Sequence, residues 1–211
     1  MPAWDEHIHE HLSAARHLPA WRSTVECWGS ELAALFLRGG RLCVAGNGGS
    51  AAEAQHLTGE LVGRYRTERQ PLCAVALHAE TSTLTAIAND YGWEEAYART
   101  LRGLAGAGDV LLLLSTSGRS ANLLRCAAEA RRAGITVWAL TGPAPNPLHE
   151  HADGAIAVPG GVPVVQELHL TLIHLLCAAV DDSLARGAIT ELRPLTRAAA
   201  GLRDKEERPW P

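Results

Sequence analysis

His56 and Glu60 stand four residues apart. On a helix that spacing puts an imidazole and a carboxylate on one face, as a metal pair or an acid–base pair requires, although surface contacts use it too. A second set lies in Gln166-Glu167-Leu168-His169-Leu170-Thr171-Leu172-Ile173-His174. The apolar neighbours of His174 predict burial, and a buried polar group needs partners or a task. Gln166 and His174 are two turns apart, about 12 Å along a helix axis. They either lean toward one ion or serve neighbouring sites in an oligomer.

Two Gly- and Ser-rich segments carry a different chemistry. Gly46-Asn47-Gly48-Gly49-Ser50-Ala51 and Ser115-Thr116-Ser117-Gly118-Arg119-Ser120 each follow an apolar run and precede a helical pattern. A helix that begins after a parallel strand offers free N–H groups and partial positive charge to an anion. The hydroxyls of Ser115, Thr116, Ser117 and Ser120 add donors without adding charge, so a phosphate fits this turn. The plainer alternative is that Ser120 caps its helix and the rest is turn chemistry. The first turn also matches G-x-G-x-x-A, but Leu77-His78-Ala79 occupies the place of the acidic residue that a dinucleotide site needs. NAD is therefore disfavoured.

The elements that must position these residues follow from the apolar pattern. Residues 3–38 predict one or two amphipathic helices, ended by Gly39-Gly40. Strands are predicted over 41–46, 72–77, 109–114, 135–140 and 154–158, and helices near 50–65, 81–88, 93–105, 120–133 and 164–185. Strands alternating with helices imply right-handed crossovers and an α/β, three-layer αβα sandwich on a five-stranded parallel sheet. The expected organisation is an N-terminal helical segment (1–40), a core domain (41–185) and a C-terminal extension (186–211) that docks on a neighbour or stays loose.

Bulk properties narrow the class. Of 211 residues, 47% are hydrophobic and 20% charged, ordinary for a soluble globular protein. A net charge of −4 supplies no basic field for nucleic acid. Five dispersed cysteines without a C-x-x-C pair argue for a reduced compartment. The first residues lack a basic region followed by an apolar run, so no signal peptide is expected. The most apolar stretch, Leu168–Val180, is read as too short to cross a bilayer. The expectation is a cytoplasmic protein with no membrane partner.

Five motifs in register make the chain similar to the phosphoheptose isomerases of the SIS (sugar isomerase) family. They are Gly46-Asn47-Gly48-Gly49-Ser50 with His56 and Glu60; Gly63-Arg64-Tyr65; Asn89-Asp90-Tyr91-Gly92; Ser115-Thr116-Ser117-Gly118-x-Ser120-x-Asn122; and Gln166-Glu167-x-His169 with His174. The resemblance runs from about residue 20 to about residue 183. It implies the SIS fold, with flavodoxin-like strand order, and a homotetramer with active sites at subunit interfaces. It also implies interconversion of sedoheptulose 7-phosphate and D-glycero-D-manno-heptose 7-phosphate through an enediol.

By resemblance, His56, Glu60, Gln166 and His174 hold one zinc ion per subunit, and Glu60 and His174 are also the acid–base pair. Ser115, Thr116, Ser117 and Ser120 take the phosphate. Asn47, Gly48, Gly49, Ser50, Arg64, Asn89, Asp90 and Gln166, with Glu60, contact the sugar or shape its pocket. Two positions depart from the family pattern. Val164 stands where an arginine is common, and Arg119 where a small polar residue is usual.

Two alternatives share the fold. A SIS-domain adaptor that assists replication initiation needs no acid–base pair, so the presence of both Glu60 and His174 favours an enzyme. An isomerase of another phosphosugar is kept open by the altered loop before Gln166. A sugar-phosphate-binding regulator would carry a DNA-binding domain, for which residues 1–38 are too short and too acidic.

Overall fold

Continuous apolar runs become strands that are covered on both faces, as buried parallel sheets require. The computed structural model describes residues 3–187. Its strands are β1 (Leu42–Gly46), β2 (Ala74–Ala76), β3 (Val110–Ser115), β4 (Thr136–Thr141) and β5 (Gly154–Ala157). They pair in parallel in the order β2-β1-β3-β4-β5, the expected flavodoxin-like arrangement. β1 and β3 align Gly46 with Leu114, so the two turns that follow emerge side by side. In such a sheet ligands bind beyond the carboxyl ends of the strands, near the point where the strand order reverses.

The helices are α1 (Ala3–Ala15), α2 (Arg22–Leu37), α3 (Gly49–Val62), α4 (Thr81–Tyr91), α5 (Ala96–Leu104), α6 (Ala121–Arg132), α7 (Pro147–His151) and α8 (Val162–Arg186). Alternate strand residues feed two cores. Leu42, Val44, Leu112, Leu114, Trp138 and Leu140 meet α2, α3 and α8 on one face. Cys43, Ala45, Leu111, Leu113, Val137 and Ala139 meet α5 and α6 on the other. Trp28 of α2 stacks on Trp138 of β4 at 4.7 Å, which joins the N-terminal segment to the sheet.

Three expectations need correction. The short helix α7 was not anticipated, although Asn146-Pro147 is a recognisable start signal of N-cap followed by Pro. The C-terminal helix expected near 164–185 is α8, and its 25 residues are enough by length and hydropathy to span a bilayer, which corrects the reading of its apolar stretch as too short. Half of its apolar window is buried inside the fold, as expected of a core helix. Val164 lies fully buried in the core, so the side chain that replaces the family's arginine faces packing rather than a ligand. Most of the proposed C-terminal extension, from residue 188 onward, lies outside the described residues.

Candidate active site

Helices α3 and α8 lie side by side and in step. The side chain of Gln166 rests on Gly49, where a Cβ would come within 2.4 Å of Nε2, so the contact requires glycine. Seven residues along α3 and eight along α8, His56 Nε2 lies 2.9 Å from His174 Nε2. At that distance one imidazole donates and the other accepts. Glu60 Oε1 sits 3.6 Å from His56 Nε2, and Tyr65 stacks on His174 with centroids 5.8 Å apart. The structure thus joins His56, Glu60 and His174. It sets Gln166 with Gly49 about 10 Å away by helical rise.

At the carboxyl end of the sheet, helix N-termini differ in a telling way. Glu80 caps α4 by accepting from the Ser82 and Thr83 amides, and Asn146 caps α7 by accepting from the His149 amide. The N-cap residues of α3, α6 and α8 make no side-chain cap, although at α8 the Gly161 amide donates to the Glu10 carboxylate. Ser120 occupies the N-cap position of α6 but its side chain makes no cap; its carbonyl takes the Leu123 amide, and the Ala121 and Asn122 amides stay open, so the simple capping alternative fails. Within the same turn, Ser115 Oγ accepts from the Gly118 amide and Ser117 Oγ from the Arg119 amide. Ser115 is buried, whereas Ser117 is exposed and Thr116 and Ser120 are half-buried.

Residues behind the turns hold their shape; Asn47 and Asn122 belong to the sequence motifs, whereas Tyr97 and Asn146 have no such signal. Asn47 and Asn122 exchange two amide hydrogen bonds of 3.0 Å, which ties the first turn to α6. The Tyr97 hydroxyl lies 2.8 Å from the Gly46 carbonyl and 2.9 Å from Asn47 Oδ1. Burial pushes that phenol up to about 12, so it stays a donor. Asn146, also buried, donates to Thr141 Oγ1 and packs so closely on Gly118 that a Cβ there would lie 1.9 Å from its Oδ1. Gly118 has φ +61°, a conformation for which glycine is preferred. One turn beyond the Gly49–Gln166 contact, His169 is buried and Glu53 half-buried beside it. Desolvation pushes Glu53 up to about 7 and His169 down to about 4.

Other expected site residues are not gathered here. Ser50 is buried against the Gly46 backbone. Arg64 projects into solvent beside Glu68, and Asn89 and Asp90 are exposed and hydrogen-bonded to each other.

The donor types of His56, Glu60 and His174 suit zinc. Bonds of about 2.0–2.2 Å in a tetrahedron separate ligand atoms by about 3.3 Å, close to the 2.9 and 3.6 Å contacts around His56. Among the described residues, however, no three His, Cys, Asp or Glu side chains form a ready metal-holding group. Within one subunit Gln166 packs on Gly49 instead.

A family model described as "SIS domain" matches residues 21–142. The phosphoheptose isomerase of Streptomyces coelicolor is 60% identical over 161 residues, which cover 76% of this chain and 70% of the relative. Among solved structures, a phosphoheptose isomerase from Francisella tularensis superposes with a TM-score of 0.80 at 30% identity, covering 86% of this chain and all of the other. That of Neisseria gonorrhoeae gives 0.77 at 35% identity, covering 84% and 96%.

Proposed function

Because the chain belongs to the phosphoheptose isomerase family of SIS-domain proteins, we propose that it works as follows on sedoheptulose 7-phosphate. The chain is a sugar-phosphate isomerase that interconverts this ketose and D-glycero-D-manno-heptose 7-phosphate in heptose biosynthesis. The observation that carries the substrate class is the uncapped N-terminus of α6 behind the Ser115–Ser120 turn. An anion there completes open amides and meets the positive end of the helix dipole. Thr116, Ser117 and Ser120 donate to the phosphate, while Ser115 shapes the turn.

Isomerisation moves a proton between C1 and C2 through an enediol, so it needs a carbon base and a group that serves the oxygens. Glu60 takes the carbon-bound proton and returns it to the neighbouring carbon. His174 moves the proton between the two oxygens, a role suited to imidazole near neutral pH. What supports the pairing is their common contact, His56, which touches both. Gln166, with Gly48 and Gly49, serves the sugar at the N-terminal end of α3. Asn47 braces the pocket through Asn122 and Tyr97.

Zinc, held by His56, Glu60 and His174, would supply positive charge beside the reacting oxygens. We also infer a homotetramer. Trp4, Ile8 and Leu12 form an exposed stripe at helical spacing on α1, and Leu175 is exposed on α8. Arg64, Asn89 and Asp90 would then reach a neighbouring subunit's site. The five free thiols favour the reducing cytoplasm.

The deciding experiment is an NMR assay of sedoheptulose 7-phosphate conversion by wild type and Glu60→Gln. Conversion that falls at least 100-fold in the variant, with KM changed little, supports the roles. Equal rates would remove Glu60 as the base. An inert, folded, zinc-supplied wild type would redirect the search to other phosphosugars.

A further inference from the structure

We propose that Arg69, locked to Asp181, is a positioning residue that holds Glu60 in register with His174. The inference rests on Glu60 and His174 being the proton-handling pair. The last carbonyls of a helix have no partner within it and must find one elsewhere. In α3 the Gly59 carbonyl receives the Gly63 amide at 2.8 Å. The next two are gripped by a single guanidinium: Arg69 Nη2 donates to the Glu60 carbonyl at 2.9 Å and Nη1 to the Leu61 carbonyl at 2.8 Å. Its third direction is taken by α8, where Nε donates to Asp181 Oδ1 at 2.7 Å.

Asp181 follows His174 by seven residues, two turns along the same helix, so the two share a face. Cys177, midway between them, feels the negative charge of both Glu60 and Asp181, so all of these groups lie along one seam. The guanidinium therefore fixes the backbone of Glu60 to the helix that carries His174. Only a planar fork can do this: a lysine ammonium has no geometry that meets two adjacent carbonyls and a carboxylate together.

The setting makes the contact rigid. The Arg69 and Asp181 side chains are only 11% and 14% exposed. A pair so shielded is strongly disturbed by loss of one partner, whereas replacing both with apolar groups of similar volume is often tolerated. That asymmetry separates a positioning role from a purely structural one. Misplacing a reacting group by about 1 Å lowers turnover by about 100-fold without weakening substrate binding elsewhere.

The test compares kcat, KM and thermal midpoint for wild type, Arg69→Lys, and the double variant Arg69→Met/Asp181→Leu. Arg22→Gln, which removes an exposed pair with Glu26, is the control. The expected result is a kcat lowered at least tenfold, with KM within twofold, in both Arg69→Lys and the double variant, the latter staying folded with a midpoint lowered only by the loss of the donor to the Glu60 carbonyl. The control keeps wild-type kinetics. Wild-type kcat in either Arg69 variant would overturn the proposal and leave the pair a fold element only. A wild type that converts no sugar, or a Glu60→Gln enzyme with full kcat, would instead sink the catalytic reading beneath it. Those outcomes appear in proteins with Arg69 intact, so the two failures are distinguishable.

Discussion

Glu53 Oε2 faces His169 Nδ1 at 3.8 Å across the contact between α3 and α8, and neither atom has a hydrogen-bond partner among the described residues. His169 uses its other nitrogen to donate to the Thr141 carbonyl, 3.2 Å away, which leaves Nδ1 as an acceptor. Desolvation raises Glu53 to about 7 and lowers His169 to about 4. Between those values the folded pair holds its proton on the carboxyl and stays neutral, whereas the unfolded chain keeps the proton on the imidazole.

The sign of the resulting pH dependence is opposite for the two residues. Glu53, raised in the fold, favours the folded state most below its unfolded value near 4.5 and loses that advantage as pH rises through about 7. His169, lowered in the fold, withdraws stability as pH falls from about 6.5 toward 4. Glu53→Gln removes the first effect alone. Its melting temperature should gain on wild type between pH 5 and pH 8, by an amount worth at most roughly 3 kcal/mol. Melts whose separation is the same at both pH values would mean that Glu53 is not buried neutral.

Ser120→Asp sets stability against function at α6. The carboxylate should cap the open amides and raise stability by about 1 kcal/mol in denaturant melts. The same charge would repel the substrate phosphate and raise KM at least tenfold. Ser120→Ala should raise KM less and leave stability within about 0.5 kcal/mol, because Ser120 makes no side-chain cap. A KM unchanged in both variants would move the phosphate elsewhere.

Tyr97→Phe deletes the hydroxyl beside the Gly46 carbonyl and Asn47 Oδ1. The buried carbonyl loses a donor, so destabilisation of about 1–3 kcal/mol is expected from chemical unfolding. Asn47 keeps its exchange with Asn122, so the turn should loosen rather than collapse, and KM should rise more than kcat falls.

Metal analysis of the purified protein should find close to one zinc per chain, falling well below half in His56→Ala and in His174→Ala. Gln166→Ala tests the N-terminal end of α3: its packing on Gly49 predicts a larger effect on KM than on zinc content. Full zinc occupancy without His56 would refute the proposed ligand set.

Much of this protein is written in local pattern. The apolar runs at 110–115 and 136–141 specify buried strands, and the turns at Gly46–Ala51 and Ser115–Ser120 end them where helices can start. The His56–Glu60 pairing needed only the pitch of one helix. The offset between helices required the tertiary structure. The sequence periodicity of α3 and α8 is compatible with many relative shifts. Packing of Gly29 on Ala179, of Gln166 on Gly49, and of Arg69 between Glu60 and Asp181 selects one. That choice set His174 against His56 and Gln166 against Gly49. It also hid Val164 in the core and set Glu53 beside the buried His169, because burial and contact between residues distant in the chain arise from the packed fold and not from spacing along it.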